Sequence, residues 1–274
     1  MAWSTASGVS LRYELGGCGE RILVLAHELG GSVESWAPVL PVLEPFFRIL
    51  RWDQRGAGLS EKVHAPFTAE DHYRDLRALL DVLELPPPYY FASVAASAAI
   101  VLIFNRHHPG QVAAAVLCSP AVSVSPDRRQ YLLDRAKLAA REGMRAVADA
   151  SLARSFPDTI IRERNAYEEY RGRFLANDPV SYGLANRAFA DSNVEHTIPT
   201  LRCPCLLLAG RHDLLRPPSE VHALAERFPD ARFELIESGH LMPLQAPAAV
   251  AGHMLRFLVH GRSDGLRSTG QTSV

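Results

Sequence analysis

Six short apolar runs recur along the chain with amphipathic stretches between them, and that alternation is what most narrows the fold. RILVLAH (21–27), FFRILRWD (46–53), PYYFAS (88–93), AAAVLCSP (113–120), CPCLLLAG (203–210) and ARFELIE (231–237) have the length of strands and are apolar through most of their span. A strand with one wet face alternates polar and apolar residues, whereas a run that stays apolar is covered on both faces. The stretches HYRDLRALLDVLEL (72–85), AIVLIFNRHHP (99–109) and SEVHALAERFP (219–229) have the helical period that supplies such cover. The expected architecture is α/β, a mostly parallel central sheet with helices on both faces. Ligands of such a sheet bind at the carboxyl ends of its strands.

The alternation fails between residues 123 and 201. PDRRQYLLDRAKLAAREGMRAVADASLARSF and the residues up to Thr197 read as helical throughout. A helical insertion between two strands sits over the ligand-binding edge, so residues 1–122 and 202–260 are expected to form the core and 123–201 an all-helical cap. Arg128, Arg129, Arg135 and Arg154 in that cap are expected to be solvated, as arginines on helix surfaces usually are. Residues 261–274, GRSDGLRSTGQTSV, lack apolar periodicity and are expected to form a flexible tail.

Several function classes are disfavoured. With 29 Lys+Arg against 30 Asp+Glu, the chain lacks the basic excess of a nucleic-acid or anionic-membrane binder. Neither a signal peptide nor an apolar run of roughly 20 residues is visible, and a cytoplasmic location is expected. Cys18, Cys118, Cys203 and Cys205 form no disulfide framework. Cys203-Pro-Cys205 has no partner pair at ligand spacing, so no metal is expected and the two thiols read as small residues entering a buried strand.

Three segments that follow candidate strands carry chemistry. In Ser93-Val94-Ala95-Ala96-Ser97-Ala98 a strand turns sharply into a helix. A nucleophile elbow reads G-x-S-x-G because only small residues fit two positions either side of the apex. Ser93 and Ser97 meet that demand and leave Ala95 at the apex; Val94 would be the apex if the register slipped by one. An alanine methyl has no lone pair and no ionisable proton, so it cannot attack a carbonyl. Ser93 and Ser97 occupy close-packing positions and are poor substitutes. Asp213 of GRHD follows CPCLLLAG and could orient a histidine. His240 of SGH follows ARFELIE and could serve as base. The order elbow, Asp213, His240 is that of an acyl-transfer triad. Upstream, His27-Glu28-Leu29-Gly30-Gly31-Ser32 stands where an oxyanion loop belongs; main-chain N–H groups of Leu29 and Ala96 are the expected donors.

HELGGS (27–32), RWDQRGAGLS (51–60), the elbow with His108-Pro109 at its helix end, AGRHDLLRPP (209–218) and ESGHLMPLQAP (237–247) together resemble the α/β-hydrolase superfamily. The cap segment 174–213 is most similar to the 3-oxoadipate enol-lactonase-like hydrolases. The resemblance implies cofactor-free hydrolysis of a small ester, lactone or related acyl substrate. It puts Ala95 at the nucleophile, Asp213 at the acid, His240 at the base, and Leu29 and Ala96 at the oxyanion hole. Asp53 and Arg55 match structural positions. Two residues depart from the pattern: Glu28 stands where a glycine follows the histidine, and Ala95 replaces serine. Three functions stay open at this point. The chain is a serine hydrolase inactivated by a Ser-to-Ala change at position 95, a nucleophile-independent dioxygenase or lyase using His240–Asp213 as general base, or a non-catalytic ligand-binding homologue.

Overall fold

A computed structural model describes residues 1–157, 160 and 164–260. The segment expected to be a flexible tail, 261–274, lies outside the described residues. Among the described residues eight strands form one sheet: β1 (Ala2–Ala6), β2 (Val9–Gly16), β3 (Arg21–Ala26), β4 (Phe47–Trp52), β5 (Tyr89–Val94), β6 (Val112–Cys118), β7 (Cys205–Gly210) and β8 (Ala231–Ile236). Their spatial order is β1-β2-β4-β3-β5-β6-β7-β8. The pairs from β4 through β8 are parallel, and β1 and β2 add an antiparallel margin.

That margin is absent from the six apolar runs. β1 alternates exposed and covered residues, and Ser7-Gly8, both at positive φ (53° and 80°), make the tight hairpin to β2. A strand overlaps each of the six runs, with β5 and β6 extending one residue beyond theirs.

Among the described residues ten α-helices accompany the sheet: α1 (Leu40–Leu43), α2 (Ala69–Val82), α3 (Ala98–His107), α4 (Pro126–Glu142), α5 (Arg145–Ser155), α6 (Arg164–Leu175), α7 (Pro179–Ala190), α8 (Pro218–Ala225), α9 (Met242–Gln245) and α10 (Pro247–His260). Successive strand residues point to opposite faces. Val24, Phe91, Leu117 and Leu207 therefore meet α2, α3 and α8 on one side. Leu23, Leu25, Val116 and Leu208 meet α1 and α10 on the other. Both faces of the central strands are sealed, which is why β3, β5, β6 and β7 are almost wholly apolar, whereas the edge strand β8 alternates exposed and covered residues.

Helices α4 to α7 lie between β6 and β7 and close around their own apolar cluster, including Val147, Leu152, Phe156, Tyr170 and Phe174. Polar bonds join them to the sheet's loops. Asn177 Nδ2 donates to the Gly30 carbonyl at 3.0 Å, and Ser181 Oγ accepts from Val63 N–H at 3.0 Å.

Asp53, just past β4, organises those loops from a fully buried position. It accepts from the N–H groups of Val33 (2.8 Å) and Leu59 (2.7 Å) and from Arg12 at 3.2 Å. Gly58 is required beside it, because a Cβ there would stand 2.2 Å from the carboxylate. Asp53→Ala orphans a buried amide and a part-buried one and strips a partner from a buried guanidinium. The expected loss is about 3 kcal/mol or more, read as a lowered urea midpoint at unchanged slope; a loss below about 1 kcal/mol contradicts the assignment.

Candidate active site

β5 ends at Val94 and α3 begins at Ala98, so the chain must reverse within one short turn. Ala95 makes the turn at φ 53°. The left-handed region costs a non-glycine residue about 1–2 kcal/mol. The Ala95 carbonyl is tied down by the N–H groups of Ala121 (3.0 Å) and Ala98. Val94 keeps extended angles and is fully buried, so the apex is Ala95. Ser93 is sealed in the strand, with an Oγ that finds no partner among the described residues. The Ser97 hydroxyl donates to the His27 carbonyl. Neither serine presents a hydroxyl where the apex side chain points.

The apex residue borders a cavity that is also lined by Leu29, Ala96, Ala121, Tyr170 and His240. Four of the five residues singled out from the sequence, Ala95, His240, Leu29 and Ala96, thus meet on one cavity, and the fifth, Asp213, lies directly behind His240. Asp213 Oδ2 accepts from His240 Nδ1 at 2.8 Å and from Ser119 Oγ at 2.6 Å. Its other oxygen accepts from the N–H groups of Leu215 (2.7 Å) and Arg216 (2.9 Å). Burial alone raises a carboxyl's pKa, but His240 and these hydrogen bonds outweigh it and hold Asp213 below the usual carboxylate range. A carboxylate at Nδ1 makes that nitrogen the N–H donor and leaves Nε2 with the lone pair.

Local structure fixes the histidine loop. A Cβ on Gly210 would lie 2.2 Å from the Gly239 carbonyl oxygen, so only glycine lets the end of β7 approach it. Gln245 Oε1 accepts from the Leu241 N–H at 3.0 Å and from Ser238 Oγ at 3.2 Å. Gln245 Nε2 then donates to the Ser155 carbonyl in the helical insertion at 2.9 Å.

The loop after β3 holds two buried groups. His27 Nε2 accepts from the Gln54 N–H at 3.0 Å, so Nδ1 carries the proton and donates to the Glu28 carbonyl at 2.7 Å. Both ring nitrogens of this histidine are engaged by the backbone, so it serves the loop's structure. The Glu28 carboxylate is 3% exposed and accepts from Ser35 Oγ at 2.8 Å. Gly31 makes room for it: a Cβ there would stand 2.3 Å from Oε1. Burial and the charge of Glu28 push the Tyr170 hydroxyl well above its ordinary value. Glu28 therefore both shapes the loop and places a carboxylate in the cavity wall.

The expectation that the four cap arginines are solvated holds for Arg129, which pairs with Asp191 at 2.6 Å on the surface, and for exposed Arg154. It fails for Arg128 and Arg135, which are partly buried and line the cavity beside Ala95, as does Arg216. Residues 128, 131, 132 and 135 fall at i, i+3, i+4 and i+7, one face of α4, and that spacing is the signal by which they could have been found. A second chamber adjoins the first across Leu29, Ala96, Tyr182 and Phe189 and reaches Gln54, Ile100 and Asn177. Arg55 borders it but is bound to Asp75 through two hydrogen bonds of 2.7 and 2.6 Å. Cys203 and Cys205 are buried. Among the described residues, no group of three or more His, Cys, Asp or Glu side chains could hold a metal, and no helix is long and apolar enough to cross a membrane.

Comparison with known proteins yields consistent matches. A family model described as "Serine aminopeptidase, S33" matches residues 20–241. The protein 3-oxoadipate enol-lactonase 2 of Acinetobacter baylyi is 23% identical over 247 residues, covering 89% of this chain and 91% of its own length. The crystal structure of the enol-lactonase from Burkholderia xenovorans has a TM-score of 0.88 at 26% identity, over 94% of this chain and 99% of that one. An esterase from Thermogutta terrifontis reaches the same TM-score at 24% identity over 94% and 97%, a likeness of fold.

Proposed function

The chain belongs to the serine aminopeptidase family of α/β-hydrolases, and from that premise we propose that its cavity is an acyl site for a small ester, lactone or related substrate in which the covalent step has been removed at residue 95. His240 is the base, Asp213 orients it, and the main-chain N–H groups of Leu29 and Ala96 receive the developing oxyanion. No cofactor takes part. The observation that carries this reading is the pairing of an elbow held at φ 53° with an imidazole bonded to a buried carboxylate at 2.8 Å beside the same cavity.

With serine at position 95, His240 Nε2 would take the hydroxyl proton as Oγ attacked the carbonyl. It would then pass that proton to the departing alkoxide and later activate the water that releases the acyl group. With alanine, no bond forms at the apex, and a substrate that binds stays intact. A fluorophosphonate probe tests this directly, because it forms a bond only to an activated nucleophile. The parent chain is expected to stay unlabelled and Ala95→Ser to take one label per chain. A folded A95S chain that stays unlabelled removes the reading.

One observation favours a second reading. Asp213 retains four hydrogen bonds and His240 its tautomer although residue 95 offers them no hydroxyl. Such a pair could abstract a proton from the substrate itself, as a nucleophile-independent dioxygenase or lyase would. Turnover by the parent chain that His240→Ala abolishes would select it.

A further inference from the structure

The loop that carries His240 is held from two sides. On the sheet side the His212 N–H donates to the Ser238 carbonyl at 2.9 Å, and Asp213 takes the imidazole Nδ1–H. On the other side the loop leans on the helical insertion. Leu241, the residue after His240, is 2% exposed and packs with Met144, Leu152, Phe156, Tyr170 and Phe174 of that insertion, not with either cluster on the sheet. Leu29 of the oxyanion loop packs against the same cluster. The fit at Gly239 is close: a Cβ there would stand 2.6 Å from Ile160 Cδ1 and 3.1 Å from Gln245 Oε1.

One side chain joins the two sides. Gln245 closes α9, and its Oε1 accepts from the Leu241 N–H and the Ser238 hydroxyl, the residues that bracket Gly239 and His240. Its Nε2 donates to the Ser155 carbonyl. The amide has only this orientation, because the Leu241 N–H needs an acceptor and the Ser155 carbonyl needs a donor. Ser155 closes α5 and, with Ser151, lines the cavity beside Ala95. The histidine loop is therefore tied to a wall of that cavity through one residue. A neutral hydrogen bond contributes only about 1 kcal/mol to stability. Misplacing a reacting group by about 1 Å can cost about 10²-fold in rate, so such a link matters more for placement than for stability.

We infer that Gln245 is a positioning residue for the base: it fixes the His240 loop against the end of α5, so that the placement of His240 follows the placement of the helical insertion. This deepens the acyl-site reading above and rests on it for the kinetic half of its test. Movement of α5 is passed to the base through Gln245, and the insertion thereby helps to assemble the site as well as to wall it.

Gln245→Glu separates the two halves of the link. At about pH 8 its carboxylate is ionised; it still accepts from Leu241 and Ser238 but offers the Ser155 carbonyl an oxygen in place of a donor. Gln245→Met loses both halves. In the A95S chain Q245E is expected to lower kcat for 4-nitrophenyl butyrate by about 10- to 100-fold with KM changed less than about threefold, and Q245M to lower kcat at least as much. A side chain that merely props its own loop gives another pattern, in which Q245E keeps kcat within about twofold and only Q245M loses it; that pattern overturns the inference. The proton resonance of His240 Nδ1–H in the parent chain needs no turnover. It is expected to shift or broaden in Q245E and in the uncharged Q245M alike, which excludes the new charge as the cause. An unmoved resonance in Q245M overturns the inference. A moved resonance in both variants, with an A95S chain that hydrolyses nothing, keeps the positioning role and removes the acyl reading alone. Should Q245M not fold, Gln245→Asn, whose shorter arm cannot span both partners, takes its place.

Discussion

An Ala95→Ser chain is expected to hydrolyse 4-nitrophenyl butyrate at least about 10³-fold faster than the parent chain, with an acyl-enzyme burst. That factor corresponds to roughly 4 kcal/mol of transition-state stabilisation. The change adds one oxygen atom to a side chain already held at the apex at φ 53°, so the backbone pays no new strain for serine. Space is available, because residue 95 borders the cavity and the flanking positions are Ser93 and Ser97. Asp213 already sets the His240 tautomer, and the oxyanion donors are main-chain groups that no side-chain change removes. Glu28 works against the full gain. Its buried carboxylate in the loop that should stabilise an oxyanion opposes negative charge there, so the increase should fall short of the about 10⁶ separating intact from serine-less hydrolases. A folded A95S chain that turns the ester over at the parental rate would leave the elbow without catalytic meaning.

The sequence already reveals the core because burial on both faces writes itself as mostly apolar runs, and a strand overlaps each of the six. β1 and β2 escape notice for the opposite reason. A marginal hairpin with one wet face alternates, is short, and borrows its stability from pairing with β4. At the elbow, small residues on both sides favour Ala95 over Val94, but only the backbone decides, since positive φ is a property of the turn. The function of Asp213 is legible as chain order, whereas its support from Ser119 is not. Ser119 follows β6, and parallel pairing with β7 brings the two strand ends together. The arginines show the limit most clearly. Arg128 and Arg135 share one face of α4 whereas Arg129 lies off it and Arg154 belongs to α5, but which face of α4 meets the cavity is set by tertiary placement. Glu28 is conspicuous in sequence as a missing glycine; that its carboxylate is buried follows from Gly31 and Ser35, whose contacts are spatial.

Asp213→Asn in the A95S chain is expected to lower kcat by about 10⁴ with little change in KM, for a reason visible in its hydrogen bonds. Oδ1 accepts from two main-chain N–H groups, of Leu215 and Arg216. An asparagine must keep its carbonyl oxygen there, since an NH2 group would face two donors. The amide nitrogen then occupies the place of Oδ2 and points its hydrogens at His240 Nδ1 and Ser119 Oγ. The serine hydroxyl can rotate to accept. The imidazole can accept only by moving its proton to Nε2, and a protonated Nε2 cannot receive the hydroxyl proton of residue 95. Geometry is kept and the base is lost, so binding persists while chemistry stops. Stability supplies an independent readout. Because the folded pKa of Asp213 is lowered, its contribution is fully present above the unfolded value of about 3.9 and disappears as pH falls through the folded one. The parent chain should therefore lose more stability than D213N between about pH 5 and pH 3. A D213N chain with wild-type acid sensitivity and less than about tenfold loss of kcat would show that the carboxylate neither orients the imidazole nor carries charge in the folded state.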